Sequence, residues 1–332
     1  MYESVIDIMY KIKENYIMDI TTGTAVAKTA VDLVKNENVL NKTVDALGML
    51  FPYAGITKKA VDMYIAEIEK SDMPIDAKMY ALLNAKKQLK QMKNKKKIAE
   101  IAMQNVKEET SFTCDYGVNE EWLERFMDSA AYVSDENIQL IWGKILSNEF
   151  DNPGTTPPNM IRILSEMTPM YAKAFRQLCS MRILLVSISN TEKITGAYWK
   201  IAVPYNENHE FMSELGISFQ MLNELETLGV IKFDPVAGYI TKGIDDKKIL
   251  IYANGKTMEI TKHDVGSVPI GNVIMTSAGE VLKNITTPED IDKYDEAIKK
   301  YMKLHSVIFS EEEGYQVLLN ENTVHVINSK NP

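Results

Sequence analysis

The 332-residue chain is 45% hydrophobic and 25% charged, with a formal net charge of −9. That composition excludes a wholly disordered chain, a collagen-like repeat and a disulfide-framework protein, and the length suggests two or three units that each bury a core. The two cysteines, Cys114 and Cys179, lie far apart, which fits a reducing, cytoplasmic compartment.

The N-terminal stretch MYESVIDIMYKIKENY mixes charges into its apolar residues, so no signal peptide is expected there. No apolar run is long enough to span a bilayer, and the nearest, residues 46–56 (ALGMLFPYAGI), contains Pro52. The net charge conceals a reversal of sign. Residues 77–99 hold eight lysines and no acid, which leaves −17 for the rest of the chain.

Residues 1–110 read as helices. Val5, Ile8, Met9 and Ile12 keep three-to-four spacing, as do Val26, Ala30, Leu33 and Val34, and Thr57 opens a further helix through Val61, Ile65 and Ile68. A long helix is expected over 76–108. Its seam of Leu82, Ala85, Leu89, Met92, Lys96, Ala99, Met103 and Val106 alternates threes and fours in coiled-coil fashion, which calls for pairing with an earlier helix of the same chain or with a second copy. In the second case Leu82, Leu89, Met92, Met103 and Val106 are the candidates for self-association. Beside that seam Lys86, Lys90, Lys93 and Lys97 fall within about 60° on a helix, a stripe roughly 16 Å long. Four aligned ammonium groups suit a phosphate backbone or an acidic protein surface, and a solvated face is the plainer reading.

Residues 111–181 read as a compact helical core. Asn119 opens a helix carrying Trp122, Leu123, Phe126 and Ala130, and Ser134 caps the next, with Ile138, Ile141, Trp142, Ile145 and Leu146 on its apolar face. Asn152-Pro153-Gly154 is a turn, and Thr156-Pro157 and Thr168-Pro169 each place a cap before a proline, predicting helices over 157–167 and 169–181. Glu149, at a helix C-terminus, opposes the macrodipole and should have a compensating partner such as an arginine or a following helix N-terminus.

Residues 182–332 read as an α+β region. Strands are expected at 183–189, 198–203 and 230–233, a helix from Ser218 to a Gly229 cap, and a hairpin of 248–253 and 256–261 around Asn254-Gly255. Ser277-x-x-Glu280 reads as a capping box, Thr287-Pro288 as the start of a last long helix to about 304, and 306–309 and 315–327 as closing strands. Helix 218–228 with the strand after it resembles the end of a winged helix-turn-helix unit. It offers Gln220 and Asn223 beside Glu224 and Glu226 and no basic residue, so a structural winged-helix-like module is expected rather than a DNA reader.

A search for chemistry assigns no catalytic, cofactor-binding or metal residue. There is no phosphate-cradling glycine loop, nucleophile elbow or zinc-ligand spacing. His209, His263, His305 and His325 are scattered, and His263-Asp264, adjacent in sequence, would point to opposite faces of a strand. A hydrolase would need Glu149 or Cys114 clustered with a histidine in a cleft.

Residues 119–178 carry a recognisable pattern. A tryptophan enters a helix, a "vSdexxQxlWaxiLaxExxxPG" core follows, and "daxxFxxl" closes it. Trp122, Ser134, Gln139, Trp142, Leu146, Glu149, Pro153, Gly154 and Phe175 match it position by position. In these residues the chain resembles the bacterial family known as domain of unknown function 2806. Gly143, Asn148 and the run Thr155-Thr156-Pro157-Pro158 depart from the usual residues, the last replacing Ser-x-Arg-Thr. Residues 94–106 (NKKKIAEIAMQNV) and 274–285 (IMTSAGEVLKNI) are similar to the family's flanking elements. The "lqxlWaxlLa" element is also similar to one in the abortive-infection alpha family. Together these resemblances imply a bacterial, intracellular protein tied to phage defence or mobile elements, with a phage or same-operon protein as partner and no transferable catalytic residue.

The expected fold is therefore mainly α with a C-terminal α+β part: a helical region over 1–110, a helical core over 111–181, and a winged-helix-like module with β-hairpins over 182–332. The expected function is a non-enzymatic interaction or effector protein that forms homo-oligomers. A nucleic-acid-binding regulator using the lysine stripe is the alternative, with nucleic acid not the favoured partner.

Overall fold

A computed structural model describes residues 49–50, 53, 58–106, 117–189, 191–206, 208–242, 248–262, 267–311, 314–320 and 323–328. The helices expected within residues 1–48 lie outside the described residues, as do Cys114 and His263-Asp264. The chain divides into two units, residues 1–117 and 118–332.

In the first unit, α1 (Lys58–Lys70) doubles back on α2 (Ile75–Asn105), a helix of 31 residues. Ile68 is buried, and the Lys78 ammonium donates to the Glu69 carbonyl (2.9 Å), compensating the negative end of α1. Helix α2 ends three residues short of the expected 108, because Val106 takes an extended conformation while its N–H closes the last turn onto the Ala102 carbonyl.

The second unit begins with four helices, α3 (Glu120–Ala130), α4 (Glu136–Asp151), α5 (Met160–Glu166) and α6 (Pro169–Ser180). Asn119 and Thr168 cap α3 and α6 as the sequence suggests, accepting from the N–H groups of Trp122 and Tyr171. Two of the expected starts move. Asp135, not Ser134, caps α4, because its carboxylate reaches the N–H groups of both Asn137 and Ile138. Helix α5 starts at Met160, not 157, since Pro158 disfavours helical backbone at Pro157.

The chain then alternates strands and helices: β1 (Arg182–Ile188), β2 (Ile194–Ile201), α7 (His209–Glu214), α8 (Phe219–Leu228), β3 (Ile231–Phe233), β4 (Tyr239–Lys242), β5 (Lys248–Ala253), β6 (Lys256–Lys262), β7 (Ser267–Gly271) and β8 (Val273–Met275). It closes with α9 (Ser277–Asn284), α10 (Tyr294–Leu304), β9 (Ile308–Phe309), β10 (Tyr315–Asn320) and β11 (Thr323–Asn328). The strand ladders among the described residues are antiparallel, with one isolated parallel bridge between Val203 and Gly271, and the fold is mixed α+β with every described strand after residue 181.

The main sheet has the order β2-β1-β5-β6-β9. On one face Leu184, Val186, Ile188 and Leu250 form a core with Tyr315 and Val317 of the β10–β11 hairpin. Asn254 and Gly255 both have positive φ, which makes the two-residue turn that joins β5 to β6. Strand β2 starts four residues before the expected 198, because it pairs along the whole of β1 from Arg182↔Ile201 to Ile188↔Ile194.

Smaller ribbons pair β3 with β8 and β4 with β7. They leave little room for side chains. A Cβ on Gly271 (φ 97°) would lie 2.0 Å from the Val203 carbonyl oxygen, and one on Gly279 would lie 1.9 Å from that of Val230. Thr276, one residue before the expected Ser277, caps α9. Its hydroxyl accepts from the Gly279 N–H and donates to the Gly229 carbonyl, which locks the close approach. Thr287-Pro288 does not open α10, which starts at Tyr294: the Glu289 N–H donates to the Ser180 hydroxyl and its carboxylate pairs with Arg176.

Candidate functional site

The motif residues assemble one small core. Phe126 sits between Trp122 and Trp142, with ring centroids 4.9 and 4.7 Å away. Trp142 and Leu146 are fully buried and Phe175 nearly so. Ser134 is exposed. The Trp122 and Trp142 indole nitrogens and the Thr156 hydroxyl are buried without a hydrogen-bond partner among the described residues.

The motif's polar side chains hold the turns between these helices. The Gln139 amide donates to the Val133 carbonyl (2.8 Å), fixing the α3–α4 connection. Glu149, only 5% exposed, accepts from the backbone N–H groups of Gly154 (2.6 Å) and Thr156 (3.1 Å). The sequence calls for a partner to this carboxylate; it is the Pro153-Gly154 turn itself, with Gly154 at φ 79°, rather than an arginine. Turn N–H groups aimed at a carboxylate offset both the buried charge and the unfavourable helix end.

A cavity of about 550 Å³ opens where α3 ends and α4, α5 and α6 meet, lined by Tyr132, Ser134, Asp135, Leu164, Met167 and Pro169 among others. The N-termini of α4 and α6 border it, but Asp135 and Thr168 already accept from their first-turn N–H groups. The geometry therefore offers no ready anion site there.

The other chemistry-bearing residues are dispersed. His209 packs edge-on against Tyr205, His305 stacks on Tyr301 and bonds its carbonyl, and His325 lies on β11. Burial pushes the Cys179 thiol up to about 12, against a lowering by Lys283. Among the described residues no group of three His, Cys, Asp or Glu could hold a metal ion, and no helix is long and apolar enough to cross a membrane.

The strongest outward-facing feature is on α2. Lys86, Lys90, Lys93 and Lys97 are all exposed, whereas Leu82, Leu89, Met92 and Met103 of the neighbouring seam are half-buried and Val106 is buried. The sequence reading missed what continues the stripe towards the helix start. Ile75, Met79 and Leu83 are 77, 58 and 65% exposed. At 100° per residue they lie within about 80° of one another and of the four lysines. Their spacing by fours was the available signal. One helix face thus runs from apolar to cationic over roughly 33 Å, at 1.5 Å per residue.

No curated protein and no solved structure matches the chain. The family model described as "Protein of unknown function (DUF2806)" matches residues 83–299, about two thirds of the chain and more than the sequence motifs alone delimit. It takes in the lysine stripe, the aromatic core, the Glu149 turn and the Gly279 contact, and the chain belongs to the DUF2806 family.

Proposed function

We propose that this chain is a non-enzymatic interaction or effector protein, cytoplasmic in a bacterium, that acts in phage defence of the abortive-infection type and associates with itself through its helices. The observation that carries this reading is the Glu149 carboxylate on the Gly154 and Thr156 N–H groups. A motif whose buried carboxylate secures its own turn builds a rigid platform, and platforms present partner surfaces. The defence context rests on the similarity of the tryptophan-bearing element of α4 to the abortive-infection alpha family. Helices α7 and α8 with the β3–β8 and β4–β7 ribbons are read as a structural winged-helix-like module, since Gln220 on α8 bonds Glu224 (2.7 Å) and the helix carries no lysine or arginine.

The test is a phage challenge of bacteria expressing the chain. At least a ten-fold fall in plating efficiency against an empty vector is expected for some phages; unchanged plating across a broad panel would remove the defence role. A strict monomer by light scattering at tens of micromolar would remove the self-association.

A second reading, a nucleic-acid-binding regulator, is favoured by the exposure of all four stripe lysines on one helix face. Duplex binding should then weaken steeply with salt and vanish when Lys86, Lys90, Lys93 and Lys97 become Gln. A parent chain that does not bind duplex at low salt retires this reading.

A further inference from the structure

The α1–α2 hairpin is polarised in charge. Its turn end carries the exposed Glu67, Glu69, Asp72 and Asp76 against the exposed Lys70 and the half-buried Lys78, while α2 further on carries Lys86, Lys87, Lys90, Lys93 and Lys97, all exposed. Between these ends the outer face of α2 offers Ile75, Met79 and Leu83. A parallel pair of such helices would set lysine on lysine. An antiparallel pair related by a two-fold axis near Leu83 sets the acidic end of each copy on the basic stretch of the other. Asp76 then stands opposite Lys90, because both lie seven residues from the axis. Leu83 meets its own counterpart on the axis, and the apolar residues pack on lysine stems whose ammonium groups reach past them.

From this self-complementarity we infer that the outer face of α2, Ile75 to Lys97, is a docking surface for a second copy of the chain, paired antiparallel. The inference rests on the self-association reading above and names its surface. A face roughly 33 Å by 10 Å gives about 330 Å² per copy, well below the ~800 Å² per partner of a standard interface. The pairing is therefore weak, concentration-dependent and sensitive to salt.

Sedimentation of the full chain at 5–100 µM (an order-of-magnitude range suited to weak pairing) tests it with two reversed variants. One carries Asp72→Lys and Asp76→Lys; the other carries Lys90→Glu, Lys93→Glu and Lys97→Glu. Each alone should weaken dimerisation at least ten-fold, and an equimolar mixture of the two should restore it, because each reversed end then meets an opposite charge. Restoration also shows that both variants are folded. A dimer indifferent to both reversals overturns the inference but leaves self-association through another face. Reversed variants that stay apart when mixed overturn it too. A wild-type chain monomeric throughout overturns both the inference and the self-association reading. If that monomer instead binds a 20-base-pair duplex through the same lysines, the face belongs to a phosphate backbone.

Discussion

Helices α2 and α4 are built on opposite plans. Of the sixteen residues of α4, nine are buried, among them Gln139 and Glu149. Of the 31 residues of α2, six are buried, and five of those lie between Asn94 and Ala102. In α4 the sequence is read inward, by neighbouring helices and turns. In the first two thirds of α2 it is read outward. Such a long stretch of exposed apolar and like-charged side chains does little for the stability of its own helix, and it is this surplus that docking of a second copy would use.

The sharpest way to break this contrast is Trp142→Ala. Removing a fully buried indole that packs on Phe126 should cost about 3–5 kcal/mol of unfolding free energy. Urea unfolding followed by circular dichroism measures it. Alkylation of Cys179 in a Cys114→Ser background gives an independent readout: a thiol pushed to about 12 is almost wholly protonated at pH 8 and should react only when the unit opens. A loss under 1 kcal/mol would mean that the aromatic core is not what holds α3 and α4 together.

Next in size is Gly279→Ala. The new methyl would meet the Val230 carbonyl 1.9 Å away, so the first turn of α9 must shift and release the Thr276 bonds to Gly229 and Gly279. A destabilisation of about 1–3 kcal/mol is expected. Wild-type stability in the same urea experiment would show that this approach gives way easily.

Glu149→Gln should cost about 1–2 kcal/mol, since one neutral oxygen replaces a charged pair of acceptors for the N–H groups of Gly154 and Thr156. The amide protons of those two residues should lose exchange protection while those in mid-α4 keep theirs. Equal loss along the whole of α4 would make Glu149 a general support of the helix rather than a clasp on its turn.

What the sequence revealed followed the range of each interaction. Asn119, Thr168, Ser218 and the Asn254-Gly255 turn were readable because their hydrogen bonds or dihedral angles are local. Local pattern points to Ser277 rather than Thr276 as the cap, because the Thr276 hydroxyl is also held by the distant Gly229 carbonyl. The starts of α5 and α10 fall later than the Thr-Pro pairs indicate, because Pro158 blocks helix at the first and contacts to Arg176 and Ser180 hold the chain at the second. Strands β4, β7 and β8 and helix α7 went unseen, being three to six residues long and paired or packed with remote segments. Glu149 showed its need for a partner but not which one. The lysine stripe was legible from spacing alone. Its apolar continuation was not, because periodicity reveals an apolar stripe without saying whether anything covers it.

The smallest expected effect bears most directly on α2. Replacing Lys86, Lys90, Lys93 and Lys97 together with Gln should change unfolding free energy by less than about 0.5 kcal/mol per position, because all four are exposed. The sign should be slightly stabilising. Lys86–Lys90, Lys90–Lys93 and Lys93–Lys97 are like-charged neighbours at three- or four-residue spacing, and each such pair weakens a helix by about 0.2–0.5 kcal/mol. That gain should be largest in dilute buffer and disappear near 1 M salt, where the screening length falls to about 3 Å. Thermal unfolding of parent and variant at the two ionic strengths, at about 1 µM or below where the weak pairing of α2 is dissociated and adds nothing to apparent stability, decides it. A variant that unfolds earlier at both would mean that these side chains support the fold, and α2 would then join α4 as a helix read from within.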